Sequence, residues 1–433
     1  MKRNFLLILL IVLCQSTFAL PPDRNTDAYP LHRCEKALTD VIIHDIFSPP
    51  VASRIYAYAN IAAHEALAAA TDQRESLYGK LKSLPQVPNP GKEVLPSLAA
   101  VCAFMLTGEK LVFSEPLLHD SLQNILAYYK SMKISDEEFN SSMAYGETVA
   151  SVILNWAGTD KYKETRKIRR YNYLKEEGKW IPTPPGYMAA VEPYWNQIRT
   201  MVLDSCNQFM PEKPLPFSKD TASAFYKQAY EVYVAGKNLT KHQYDIASFW
   251  DCNPFFLNVE GHLNYATKKI SPGGHWISIA GLVARNTGAD LMKTSKAYTY
   301  TSIALFDAFI SCWDEKFRSN VIRPETYINA YIDESWRPLL QTPPFPEYTS
   351  GHSVASTVAS IVLTGLFGKD VSFDDDTEVE FGLPVRHFTS FEEACKEAAI
   401  SRLYGGIHYR VAIENGRKEG LLLGEYVAGR LLR

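Results

Sequence analysis

Three short runs decide how this chain folds and what it holds: Lys316-Phe317-Arg318-Ser319-Asn320-Val321-Ile322-Arg323-Pro324, then Phe345-Pro346-Glu347-Tyr348-Thr349-Ser350-Gly351-His352, then Ser401-Arg402 followed by His408. They contribute three permanent cations at Lys316, Arg323 and Arg402, a Ser-Gly-His turn and a second histidine. Such a set makes a poor structural core, because buried positive charges repel one another unless an anion sits among them. The inference is a tetrahedral oxyanion.

The flanking residues say how each run is presented. Behind Ser350-Gly351 the apolar residues Val354, Val358, Ile361, Val362 and Leu366 recur with helical spacing as far as Gly368. The Ser-Gly pair therefore opens a helix, where free N–H groups and the helix dipole favour an anion and glycine permits close backbone approach. Ser401-Arg402 lies near the end of a helical pattern over 391–404, and Gly405-Gly406 then turns the chain to present His408. Lys316 ends a long helical stretch from Ala289 whose apolar residues include Ile303, Phe306, Phe309 and Ile310, and which also delivers Trp313. Arg323 precedes Pro324 and is held extended, away from that helix. Arginine suits forked bonding to oxyanion oxygens, while lysine supplies a point charge. Taken singly, each residue is explained equally well as surface charge or an ordinary N-cap; their joint order carries the reading.

The rest of the chain sets the frame. Its 433 residues are 46% hydrophobic and 21% charged, enough for one large or two ordinary globular domains, and the net charge of −3 gives no general attraction to nucleic acid or an acidic membrane. Lys2 and Arg3 before the apolar run Phe5 to Cys14, with Thr17-Phe18-Ala19 behind it, read as a signal peptide over 1–19 and predict export, periplasmic or secreted. No later run is long and charge-free enough to span a bilayer, so no stable membrane insertion is expected. The remaining six cysteines permit fifteen pairings and none is assigned; without a Cys-x-x-Cys pair, zinc or iron–sulfur binding is not expected.

Helical periodicity dominates. Val51 to Ala70 is alanine-rich and apolar on more than one face, as a buried helix would be, and His64 within it reads as a core histidine. Ser135 with Glu138 and Thr240 with Gln243 mark helix starts. The basic run Lys161 to Arg170 contains Glu164 and reads as solvated surface. Trp180-Ile-Pro-Thr-Pro-Pro185 reads as an ordered loop packed on the body. No stretch alternates as strands do, so the expected class is all-α, with an N-terminal helical part over 20–200 and a C-terminal part over 201–433 that carries the site.

In order and spacing, the three runs resemble the signature of the superfamily that joins type 2 phosphatidic acid phosphatases and vanadium-dependent haloperoxidases: Lys, six residues, Arg-Pro; Ser-Gly-His; Ser-Arg, five residues, His. Phe249-Trp-Asp-Cys-Asn-Pro254, Gly274-His-Trp276, Trp180 to Pro185 and Ser48 to Arg54 are similar to the bacterial haloperoxidase branch, so the resemblance spans most of the chain, and Trp313 and Phe345 resemble the aromatic surroundings of its iodide-oxidising members. It implies a helical bundle in which Lys316, Arg323, Ser350, Gly351 and Arg402 hold the oxygens of vanadate or phosphate. His408 would be the axial group, bonding vanadium or attacking phosphorus, and His352 the acid-base group. Trp313 and Phe345 would shield the site and shape halide approach, although core packing accounts for them equally well. The implied cofactor is vanadate and the implied partners are hydrogen peroxide and halide, iodide above all.

Two positions depart from the phosphatase pattern. Glu347-Tyr-Thr intervenes between Pro346 and Ser350, where phosphatases commonly carry proline directly before Ser-Gly-His. Ala412 replaces the aspartate that orients the histidine, a task left open to a backbone carbonyl or to Glu414. An exported acid phosphatase acting on phosphate monoesters through a phosphohistidine is the main alternative, with no vanadate, and a non-catalytic oxyanion-binding protein is the third. A serine hydrolase is excluded for want of a Gly-x-Ser-x-Gly elbow.

Overall fold

The computed structural model describes residues 26–260, 263–266 and 268–433; the signal-peptide expectation for 1–19 lies outside them. Fourteen helices occur among these residues. They are α1 Tyr29–His44, α2 Pro49–Thr71, α3 Pro96–Glu109, α4 Glu115–Ser131, α5 Asp136–Ala157, α6 Tyr162–Thr165 and α7 Ala224–Lys237, then α8 Lys241–Phe249, α9 Pro272–Asn286, α10 Leu291–Ser319, α11 Pro324–Tyr331, α12 Gly351–Phe367, α13 Phe391–Tyr404 and α14 Arg410–Leu431. The all-α class holds, with two small additions. β1 Leu257–Glu260 pairs antiparallel with β2 Leu263–Ala266, and β3 Phe373–Asp375 with β4 Arg386–Phe388. Strands of three or four residues are too short to show alternation in a sequence.

The centre is built from helices apolar all round, as the alanine-rich pattern requires. Every residue of α2 from Pro49 to Ala68 is buried, and so is nearly all of α10. α2 packs on α3 and α10; α10 packs on α12; α12 packs on α13 and α14. One core cluster runs from Ala28 to Leu431 and so takes side chains from both the 20–200 and the 201–433 parts. His64 is a core histidine, bonded to Ser295 Oγ at 3.1 Å and the Glu75 carbonyl at 2.9 Å. Arg54 of α2, within the Ser48 to Arg54 motif, is also structural: its Nε donates to Asp160 Oδ2 at 2.7 Å and its guanidinium lies 4.4 Å from the Tyr162 ring centroid. The six cysteines are all free. No described helix is long and apolar enough to cross a membrane.

The contact that places the site lies between α12 and α14. Gly416, Gly420 and Gly424 recur every four residues along α14 and face α12, so one glycine ridge receives Ser353, then Val354 and Thr357, then Val358 and Ile361. A methyl group at Gly420 would come within 2.8 Å of both Thr357 Cβ and the Val354 carbonyl. Gly429, on the same helix, has nothing within 4 Å of that position. Gly420→Ala should therefore lower stability by about 1–3 kcal/mol through overpacking, whereas Gly429→Ala should leave it unchanged or raise it by up to about 1 kcal/mol through helix propensity. Thermal or denaturant unfolding of the two variants reads the opposite signs, and equal losses would show that α14 does not rest on α12 through this ridge.

Candidate functional site

Four elements end at one point. Lys316 sits in the last turn of α10, Arg323 is the extended residue before α11, Ser350 and Gly351 begin α12, and Arg402 lies in the last turn of α13, just ahead of the turn carrying His408. Gly406, at φ +77°, makes that turn. All three cations are essentially without solvent exposure. The structure thus brings together every residue that the sequence singled out.

Main-chain carbonyls bond to the cations. Lys316 Nζ donates to the carbonyls of Pro346 and Glu347, each at 3.1 Å, and to that of Thr349. Arg323 donates from Nε to the Phe345 carbonyl and from NH1 to the Ile407 carbonyl, both at 2.9 Å. Arg402 NH1 donates to the Trp250 carbonyl. These dipoles solvate charge without cancelling it. Arg323 NH2 and Arg402 Nε are buried with no hydrogen-bond acceptor. Burial, with Arg323 nearby, pushes Lys316 down to about 8, and burial pushes Arg323 down to about 10, in part opposed by Glu347.

The helix start is equally open. Ser350 Oγ accepts from Ser353 N at 3.3 Å, and the Ser350 amide donates to the Ala412 carbonyl at 3.1 Å, tying α12 to α14. At Gly351 a methyl group would find only ordinary contacts, the nearest with Trp313 at 3.7 Å, so protein packing alone does not demand glycine there.

Of the two histidines, His408 is the more constrained. Glu347 Oε1 lies 2.9 Å from His408 Nδ1 and also accepts from the Tyr409 amide at 2.9 Å. An oxygen already accepting one N–H points to Nδ1 as the second donor, which leaves the Nε2 lone pair 3.2 Å from Arg323 NH1 and facing the cations. Burial, then Arg323 and Lys316, hold His408 well below the usual imidazole range, so it is neutral. Burial pushes the Glu347 carboxyl up to about 7. Glu347 therefore takes the orienting task left vacant by Ala412. Glu414 does not, for it is exposed on α14. The sequence displayed Glu347 inside the central motif, but nothing in its spacing distinguished an acid facing His408 from a loop residue.

His352 opens onto the cavity and is only half-buried, with Nε2 3.3 Å from Arg402 NH1. Burial and the adjacent Arg402 hold it well below the usual value. Trp313 and Phe345 form the opposite wall, 4.9 Å between ring centroids. Phe345 lies beneath two cations, 5.2 Å from Lys316 Nζ and 5.1 Å from the Arg323 guanidinium carbon. Both aromatics are packed in the core and also line the cavity that His352, Arg402 and His408 share. The basic run of 161–170 stays outside: Arg166 pairs with Glu192, and Arg169 is exposed.

A depressed lysine has a signed consequence. Below about pH 8 the free protein already carries the Lys316 ammonium, whereas above it an arriving anion must take up a proton. Sulfate, whose charge is constant over this range, should lose affinity roughly tenfold per pH unit above that point, as one linked proton requires. Calorimetric titration from pH 7 to 10 checks this, and Lys316→Met should bind more weakly with a flatter profile.

Comparison with known proteins places the chain. The profile of the VCPO second helical-bundle domain matches residues 296–433, the part that holds the whole cradle. A solved bacterial vanadium-dependent iodoperoxidase is 49% identical, superimposes with a TM-score of 0.89, and is matched over 95% of this chain and 98% of its own. Holo and apo structures of a bacterial vanadium-dependent chloroperoxidase superimpose with TM-scores of 0.70 and 0.69 at 15% and 17% identity, over 94% of this chain and 98% of theirs, a likeness of fold. Among curated proteins none matches the sequence.

Proposed function

The chain belongs to the bacterial vanadium-dependent haloperoxidases, and from that premise we propose that it holds vanadate in the cradle of Lys316, Arg323 and Arg402 and oxidises halide, iodide by preference, with hydrogen peroxide. The observation that carries this is the gathering of three buried cations beside the start of α12, with two guanidinium nitrogens lacking acceptors. A tetrahedral oxyanion supplies what the site lacks, so the residues fit the group. The 49% identity to an iodoperoxidase supports iodide. The basic-then-apolar N-terminus supports export.

Each side chain then has a distinct task. Lys316, Arg323 NH2 and Arg402 Nε would hold the oxygens of vanadate, joined by the Gly351 amide and by the Ser350 hydroxyl, which accepts from Ser353 N and keeps its own proton to donate. His408 would offer the Nε2 lone pair to vanadium, and Glu347 keeps the proton on Nδ1. His352, neutral beside Arg402, accepts a proton from incoming peroxide. Trp313 and Phe345 keep water from the cradle and leave an apolar face for a soft halide. Bound vanadate would supply Lewis-acid activation of peroxide without change of oxidation state.

A phosphatase reading has one specific support: a histidine oriented by Glu347 is also arranged as a nucleophile. Purified apo-protein given orthovanadate should oxidise iodide with hydrogen peroxide, and bromide and chloride less. Hydrolysis of a phosphate monoester by apo-protein, with no halide oxidation after vanadate, would establish the phosphatase instead.

Variants test the roles. Arg402→Ala should weaken vanadate binding by about 2–4 kcal/mol, since a forked, charged contact is lost, while Arg169→Ala should change little. His408→Ala should lose capture and turnover together. His352→Ala should retain measurable vanadate affinity while iodide oxidation falls by roughly a hundredfold or more, the usual scale for losing a positioned acid-base. Loss of binding in His352→Ala with binding and turnover intact in His408→Ala would reverse the assignment.

A further inference from the structure

Next to Arg402, across the Trp250 whose carbonyl it bonds and whose ring stacks on His275, lies a second cluster that the haloperoxidase chemistry does not use. His275, in the first turn of α9, has no solvent exposure. Its Nδ1 is 3.5 Å from Cys252 Sγ and 3.1 Å from Glu378 Oε1, and the three atoms all lie within 4.8 Å of one another. Cys252 and Glu378 are buried too, and Glu378 Oε1 is aimed into the cluster with His275 Nδ1 as its neighbour there. The other ring nitrogen is committed: Nε2 is 2.9 Å from Asp375 Oδ2 and 2.8 Å from Thr377 Oγ1, and that hydroxyl itself donates to Asp375 Oδ1 at 2.6 Å. With Nε2 committed to Asp375 and Thr377, Nδ1 is the ring atom that faces the Cys252 sulfur and the Glu378 carboxylate oxygen, and a bound metal ion would take the place of the proton shared among them.

We infer that Cys252, His275 and Glu378 form a binding site for a zinc-like divalent cation. Bonds of about 2.3 Å to sulfur and about 2.0 Å to nitrogen or oxygen give tetrahedral edges of about 3.5 Å for S···N and about 3.3 Å for N···O. The S···N separation here, 3.5 Å, equals the first edge, the N···O separation, 3.1 Å, is close to the second, and all three atoms lie within 4.8 Å. A thiolate, an imidazole and one carboxylate oxygen select a borderline-soft ion over calcium or magnesium, which want oxygen alone. The Asp375 carboxylate on Nε2 orients the ring and raises its basicity, the usual outer-shell partner of a metal-bound histidine. Three protein ligands leave the fourth corner to water or another small ligand. Spacings of 23 and 103 residues between ligands explain why the sequence, judged by Cys-x-x-Cys pairs, gave no sign of it.

The location gives the ion a task. Cys252 lines the same cavity as His352, Arg402 and His408. Trp250 stacks on His275 with 4.6 Å between ring centroids and an interplanar angle of 20°, and its carbonyl accepts from Arg402. An ion here pins the loop after α8, the start of α9 and the segment after β3 to one another, and so fixes the backing of Arg402. The proposal is independent of what the cradle binds.

Untagged protein, stripped with chelator and dialysed against zinc, should retain about one equivalent per chain by mass spectrometric metal analysis. Cobalt(II) in place of zinc should give the intense near-ultraviolet thiolate-to-cobalt absorption together with the visible bands of a tetrahedral centre. In Cys252→Ser the thiolate band should vanish, and Asp375→Asn, which keeps all three ligands, should weaken binding by roughly ten- to a hundredfold. Wild-type protein that holds no zinc, with His275 sharing only a proton with Glu378, would overturn the inference. So would a cobalt spectrum unchanged by Cys252→Ser, which would put the ion elsewhere. Both overturning outcomes are read on soluble, folded protein by circular dichroism, so a variant that misfolds leaves the wild-type measurement to decide.

Discussion

Mutual repulsion among Lys316, Arg323 and Arg402 is the constraint on which the rest of this structure depends. Burying one charge costs several kcal/mol, and burying three side by side costs more unless the surroundings answer them. The depression of Lys316 to about 8 puts its share on the order of 3 kcal/mol. What answers them is mostly backbone: six carbonyls, from Pro346, Glu347, Thr349, Phe345, Ile407 and Trp250, are turned onto the cations. Carbonyls lower the cost and cancel none of the charge. The cations are thus held in place by the fold itself, and the oxyanion proposed for them would find little left to reorganise.

Carbonyls serve this way only when the segments bearing them cannot move. Thr349 is held by its hydroxyl, which donates to the buried Glu419 of α14 at 2.7 Å, and Glu419 also accepts from Ser311 of α10 at 2.9 Å. The Trp180 loop braces the other side, since Trp180 N donates to the Asn320 carbonyl and Ile322 N to the Gly178 carbonyl, each at 3.0 Å, just ahead of Arg323. The glycine ridge of α14 lets α12 settle closely enough for the Ser350 amide to reach Ala412. Helix packing, loop and cradle form one mechanical unit.

Local signals were legible in the sequence and partnerships across the fold were not. Helix starts announced themselves through Thr240 and Gln243, which form a full capping box, and through Ser350 ahead of an apolar period. The order of Lys316, Arg323, Ser-Gly-His, Arg402 and His408 carried the site, because a joint pattern is informative where each residue alone is ambiguous. Glu347 was on view and its function was not, since an acid inside a loop shows no periodicity and its partner lies 61 residues away. The same limit hid Glu419, whose bonds to Thr349 and Ser311 span 70 and 108 residues. Four short strands escaped because three or four residues cannot display a period of two.

The wall opposite the histidines shows why this cradle is lined with rings and not with acids. Three cations in one place invite a carboxylate, and an aspartate or glutamate at position 345 would satisfy Lys316 and Arg323 together. It would also occupy the position of the oxyanion and close the site. Phe345 presents the negative face of a ring to both cations, at 5.2 Å and 5.1 Å, and so relieves part of their repulsion with no net charge and no lone pair to compete with a ligand. Glu347, a carboxylate beside the cradle, is turned into bonds with His408 Nδ1 and the Tyr409 amide, where it orients a histidine instead of pairing with a cation. Charge placement, more than cavity shape, is what keeps the centre open.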